Sequence, residues 1–198
     1  MLMSTIPKDD ALKLLMKYNK DSYHILHGLT VCGVMMWYAN ELGFGDEAEY
    51  WAIVGLLHDI DYGLFPEEYC VKAAELLRDV SICEEMIYPI CSHGHNICVD
   101  IEPKHLMEKV LYASDELTGL IGVAVRMRPS QSAMDLELSS VMKKFKDKRF
   151  AAGCSRVIIE NGASMFDWSI NVLLENTIVA MWSCEESVKD TMKTLKLF

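Results

Sequence analysis

The chain has 198 residues, 51% of them apolar and 24% charged, which is the composition of a folded globular protein and excludes a disordered or low-complexity one. Its formal net charge of −10 argues against general binding of DNA or RNA polymers and against an anionic membrane surface. Seven cysteines without a C-x-x-C pair, an N-terminus without a basic-then-apolar leader pattern, and apolar stretches (29–39 and 117–125) short of the ~20 residues of a spanning helix predict a reduced, cytoplasmic, soluble protein with no membrane segment.

Apolar residues recur at helical spacing throughout, without strand-like alternation, so the expected fold is all-α. A first helix follows Pro7, with Asp9 and Asp10 in its acidic first turn. Asp21 caps a second, which runs to about Leu42 and stops at Gly43 and Gly45. Asp46 is placed to cap a third, ending near His58. After a loop carrying Gly63 and Pro66, helices are expected over about 67–78 and 82–93. A long helix over about 104–127 is stopped by Pro129, and helices near 135–146, 155–163 and 168–188 complete the chain. The length fits a single domain over 1–198, with a working core at about 21–127 and a C-terminal helical extension at 128–198.

Two helices carry histidine on an apolar face. Stepping from His27 by four, seven and eleven meets Val31, Val34 and Tyr38. Stepping back from His58 by three, four and seven meets Gly55, Val54 and Trp51, and Asp59 follows directly. The long helix contributes Asp115, followed by an uncharged run over 117–125 that marks a buried helix. A buried carboxylate needs a cation or strong donors. One divalent metal shared by His27, His58, Asp59 and Asp115 would satisfy all four groups, and this imidazole and carboxylate set suits Mn, Fe, Co, Ni, Zn or Mg. Taken singly, each residue has a structural alternative: a backbone carbonyl for a buried histidine, and Arg126 or Arg128 for Asp115.

The series His27, LLHDID at 56–61, SHG at 92–94 and YASDELTGL at 112–120 resembles the HD superfamily of metal-dependent phosphohydrolases, in the order H…HD…D. The resemblance covers about 21–125, and the stretch over 126–153 is similar to the tail of small stand-alone HD proteins. It implies an HD-domain-like helical bundle with additional C-terminal helices, in which His27, His58, Asp59 and Asp115 hold the metal. It further implies hydrolysis of a phosphate ester of a small metabolite, a nucleotide first among them, by a water held on that metal. Asp59, Asp61 and His93 are the candidate catalytic residues, and His93 also a candidate phosphate contact, a support for a metal ligand or a ligand of a second metal. A surface histidine at a helix end is its plain alternative. Proteins similar to this one often have histidine at the position of Tyr69, and a phenol is a poor ligand for these metals, so a single ion is expected. Neither HD-x-x-E-D nor HDIGK follows the doublet, which lowers the weight of guanosine tetraphosphate and cyclic-dinucleotide hydrolysis. Where one deoxynucleotidase branch has its acid/base glutamate this chain has Tyr62, leaving Asp61 or Glu67 as substitutes.

Between residues 126 and 149 seven basic side chains face three acidic ones, a local excess in an acidic chain. It is either a solvated helix face or a phosphate-attracting flank of the site, and in the second case Arg128, fixed in direction by Pro129, is the expected phosphate contact. The alternative to an enzyme is a degenerate HD domain that binds a nucleotide as a sensor or interaction module.

Overall fold

A computed structural model describes residues 6–197, and these form helices joined by turns, with no β-strand among them. In chain order the helices are α1 (Lys8–Tyr18), α2 (Ser22–Glu41), α3 (Ala48–Leu57), α4 (Val71–Arg78), α5 (Glu84–Ser92), α6 (Leu106–Arg126), α7 (Leu138–Lys146), α8 (Arg156–Ser164) and α9 (Ile170–Thr194). No helix among the described residues is long and apolar enough to cross a membrane.

The expected caps explain some helix starts and not others. Asp21 caps α2 as expected, its carboxylate accepting the Tyr23 N–H at 2.7 Å. Asp46 does not cap α3, because a 3-10 turn over Gly45–Glu47 precedes it and the helix opens after Glu47 without a side-chain cap. The helix expected from about residue 67 is instead a 3-10 turn over Pro66–Glu68, and α4 begins only at Val71. Cys70 separates them with a left-handed backbone (φ 61°), a conformation costly enough for a non-glycine residue that the surroundings must impose it. His105 is exposed, as expected of a surface histidine, yet it closes the start of α6: its Nδ1 accepts the Met107 N–H while Glu108 reaches back to its backbone N–H. α9 runs six residues past the expected Val188, to Thr194.

α3 is apolar on every side and buried almost throughout, as a central helix must be. α2 lies along it, and Gly55 sets how closely. A Cβ there would sit 2.7 Å from Met35 Cγ and 3.0 Å from the Val31 carbonyl oxygen, so a side chain would force the helices apart. α6 and α9 both pack on α2, and α8 packs on α6. α9, in the C-terminal extension, therefore packs against the central helices.

Candidate metal centre

Four elements bring the predicted ligands together. His27 lies in the second turn of α2, His58 ends α3, Asp59 opens the turn that follows, and Asp115 sits midway along α6. His27 Nε2 is 2.9 Å from Asp115 Oδ1, and His58 Nε2 is 3.2 Å from the same oxygen. Asp59 Oδ2 stands 3.2 Å from His58 Nε2 and 3.7 Å from His27 Nε2. The ligand atoms of His27, His58 and Asp115 all lie within 4.8 Å of one another and could hold a metal ion; Asp59 flanks this group. The turn carrying Asp59 is tied down by buried Asn19, whose amide donates to the Ile60 and Asp59 carbonyls at 3.0 and 3.3 Å.

His58 is fully buried, and its Nδ1 donates to the Gly55 carbonyl at 2.7 Å. That bond fixes the ring orientation and leaves Nε2 to face the two carboxylates, the arrangement common for metal-binding imidazoles. Nε2 forms a hydrogen bond with neither oxygen, nor with any other described group. A bare nitrogen lone pair cannot rest against two carboxylate oxygens, so a cation, either proton or metal, belongs between them. Without metal the proton takes that place. Burial alone would lower the His58 pKa, but the Asp59 and Asp115 charges outweigh it and hold the imidazole well above its ordinary value. Burial likewise works against Asp59, and His58 with its other imidazole neighbours holds that carboxyl well below the usual range. Asp115 is lowered against burial in the same way, by His58 first and by its bond to His27.

The other oxygen of Asp59 is also engaged. Oδ1 accepts the Tyr69 hydroxyl at 2.6 Å, and the same phenol oxygen is 2.8 Å from His93 Nε2. His93 is buried, and its Nδ1 donates to the Ile90 carbonyl at 2.5 Å, so Nε2 reaches Tyr69 as a donor when the ring is protonated. Protonation is favoured: burial opposes it, but the Asp59 carboxylate, 3.6 Å from Nε2, prevails and the His93 pKa rises. Burial and the Asp59 charge keep the Tyr69 phenol neutral, its pKa well above the ordinary value. The chain His93–Tyr69–Asp59 thus orients Asp59 with Oδ2 toward the histidines. His93 is a buried partner of this chain, not the surface histidine of its plain alternative.

Two expected site residues point elsewhere. Asp61 is fully buried and its Oδ2 accepts the Ala73 N–H at 2.8 Å, capping α4 from a distance where Cys70 offers no cap. Burial raises its pKa to about 6 from 3.8. The folded state therefore holds this proton more tightly than the unfolded chain, so its charge weakens the fold progressively as pH rises from about 4 to 6, and fully above that. Asp61→Asn is expected to gain about 2 kcal/mol over the parent at pH 7.5 and almost nothing at pH 4. Calorimetry at the two pH values checks this, and equal gains at both would refute it. Arg128 gives its guanidinium to Asp135 in a two-pronged bond (3.0 and 2.7 Å), not to the centre. Glu67, the other substitute acid/base, is exposed in the 3-10 turn.

Two further charged residues adjoin the candidate ligands: Arg126, through Tyr23, and Glu116, next to Asp115 in the chain. Arg126 lies over the Tyr23 ring at 4.3 Å, and Tyr23 stacks on His27 with ring centroids 6.5 Å apart. Glu116, whose carboxylate accepts the Ser155 N–H at 3.2 Å, is pushed up to about 7 by burial and then by the Asp115 charge. The visible signal for it was an acid directly after Asp115 on an otherwise uncharged helix segment. A cavity of about 380 Å³, mostly apolar, opens beside His27 between α2, α6 and α9. Comparison with protein-family models, with curated proteins and with solved structures found no match.

Proposed function

We propose that the protein is a metal-dependent phosphohydrolase of the HD type, cleaving a phosphate ester of a small metabolite to an alcohol and phosphate. The observation that carries this reading is His58 Nε2, buried, oriented by Gly55 and aimed without a hydrogen bond between two carboxylates. Two imidazoles and two carboxylates without a thiolate suit one divalent Mn, Fe, Co, Ni, Zn or Mg. Such an ion supplies Lewis acidity, polarising a phosphoryl oxygen and acidifying water.

The chain's own residues do the rest. His27, His58 and Asp115 hold the ion, and Asp59 completes the set from the flank. Tyr69 and His93 position Asp59 and store a proton on His93 Nε2. Tyr69 is neutral where a further ligand would be needed, which favours a single ion. Arg126, over Tyr23, neutralises phosphate charge in the role the sequence reading gave to Arg128. All seven cysteines are free, which supports a reducing, cytoplasmic setting.

The test joins elemental analysis to phosphate release from nucleotides and sugar phosphates with Mn, Co, Mg and Ni. One metal per chain with turnover is expected. Arg126→Ala should raise KM about tenfold, while Arg128→Ala leaves it unchanged. Metal without turnover on any ester would replace the enzyme by a nucleotide-binding sensor, and neither metal nor turnover would end the reading.

A further inference from the structure

The cavity beside His27 has a construction of its own. Its α6 wall begins one turn after the candidate ligand Asp115 and runs along one face through Thr118, Gly119, Gly122 and Val125 to Arg126. Its opposite wall is α9, where Met181, Val188 and Met192 recur at helical spacing and present apolar side chains. Lys189 and Glu185, also on that wall, are bound to each other, so their charges cancel.

Two features show that the space is kept open. Gly122 stands in a helix interior, where glycine costs about 1 kcal/mol relative to alanine. A Cβ there would touch nothing within 4 Å, so no close packing demands its absence. Thr118, only 2% exposed, lines the cavity one turn from Asp115, and its buried hydroxyl has no hydrogen-bond partner among the described residues. A buried hydroxyl without a partner is expensive unless a ligand supplies one. At about 380 Å³ the space lies within the size range of small-molecule sites.

We propose that this cavity binds the apolar body of an anionic amphiphile, whose acid head lies between His27 and Arg126 at the metal centre and whose ester oxygen meets Thr118. The placement of the head rests on the phosphohydrolase reading, and the substrate class becomes a phosphate ester of an apolar alcohol. A nucleoside, with many polar edges, would leave most of them facing apolar walls.

The probes are n-alkylphosphonates from ethyl to octyl, whose C–P bond resists hydrolysis, titrated calorimetrically into metal-free and Mn-loaded protein. Affinity is expected to rise roughly threefold per added methylene, as apolar transfer dictates, in both forms of the protein. Gly122→Leu should flatten that dependence to within a few-fold between ethyl and octyl, with helicity and metal content as checks that it folds. Thr118→Val should weaken every member of the series by a similar factor of about five. The slope itself is read on the unaltered protein, so it stands even if a variant misfolds. A flat series in the unaltered protein, or tighter binding of nucleoside monophosphates than of octylphosphonate, overturns the proposal even if short esters are hydrolysed. A steep series without turnover on any ester leaves this cavity assigned and removes the phosphohydrolase.

Discussion

Loading chelator-stripped protein with Mn at a thousand times its dissociation constant is expected to stabilise it by about 4 kcal/mol. For a chain of this length that is roughly 8–16 °C in Tm. The gain arises because ligand atoms from α2, the end of α3 and α6 converge only in the folded chain. Asp115→Asn should remove nearly all of it, since Asp115 Oδ1 is the oxygen that both His27 and His58 approach. Asp135→Asn, which touches only the surface contacts with Arg128 and Ser130, should keep the full increment. Proton and metal compete for His58 Nε2, whose pKa the two carboxylates raise against burial. The Mn-induced gain should therefore grow from pH 6 to pH 8. Identical melting of stripped and loaded protein, with Asp115→Asn indistinguishable from the parent, would show that the cluster holds no metal.

Gly162→Ala is expected to lower stability by about 2–3 kcal/mol, or roughly 5–10 °C in Tm. In an open helix the change would help, because alanine is the better helix former by about 1 kcal/mol. Here α8 crosses α6 in near backbone contact: a Cβ on Gly162 would lie 2.4 Å from Ala113 Cα and 2.6 Å from its Cβ. Neither atom belongs to the end of a flexible side chain, so the helices must separate. Ala113 is two residues from Asp115, and displacing that turn should also weaken Mn binding about tenfold. A Gly162→Ala protein that melts at or above the parent would mean that α8 does not seat on α6 as described.

The candidate ligands were legible because burial leaves a periodic trace. His27 shares a stripe with Val31, Val34 and Tyr38, all buried as the spacing required. His58 has Trp51, Val54 and Gly55 behind it, and Asp115 precedes a run without charge. What stayed hidden depends on chain reversals that have no period. Tyr69 reaches Asp59 and His93 next to a left-handed break at Cys70, where no glycine announces the turn. Asp61 was chosen for its closeness to the doublet in sequence, yet its side chain turns to the start of α4, twelve residues on. Arg128 points away from the cluster because Asp135 captures it across a loop. Helix class needs only local pattern; the pairing of two side chains across a turn needs the turn itself.

One wall of the cavity comes from α9, more than sixty residues beyond Asp115, whereas the ligand atoms come from α2, α3 and α6. The α9 wall is therefore written in a stretch of the chain that supplies none of the candidate ligand atoms. Residues such as Met181, Val188 and Met192 can be exchanged to reshape what enters while every ligand stays in place. A library confined to those α9 positions would vary the cavity while leaving the candidate metal cluster unchanged.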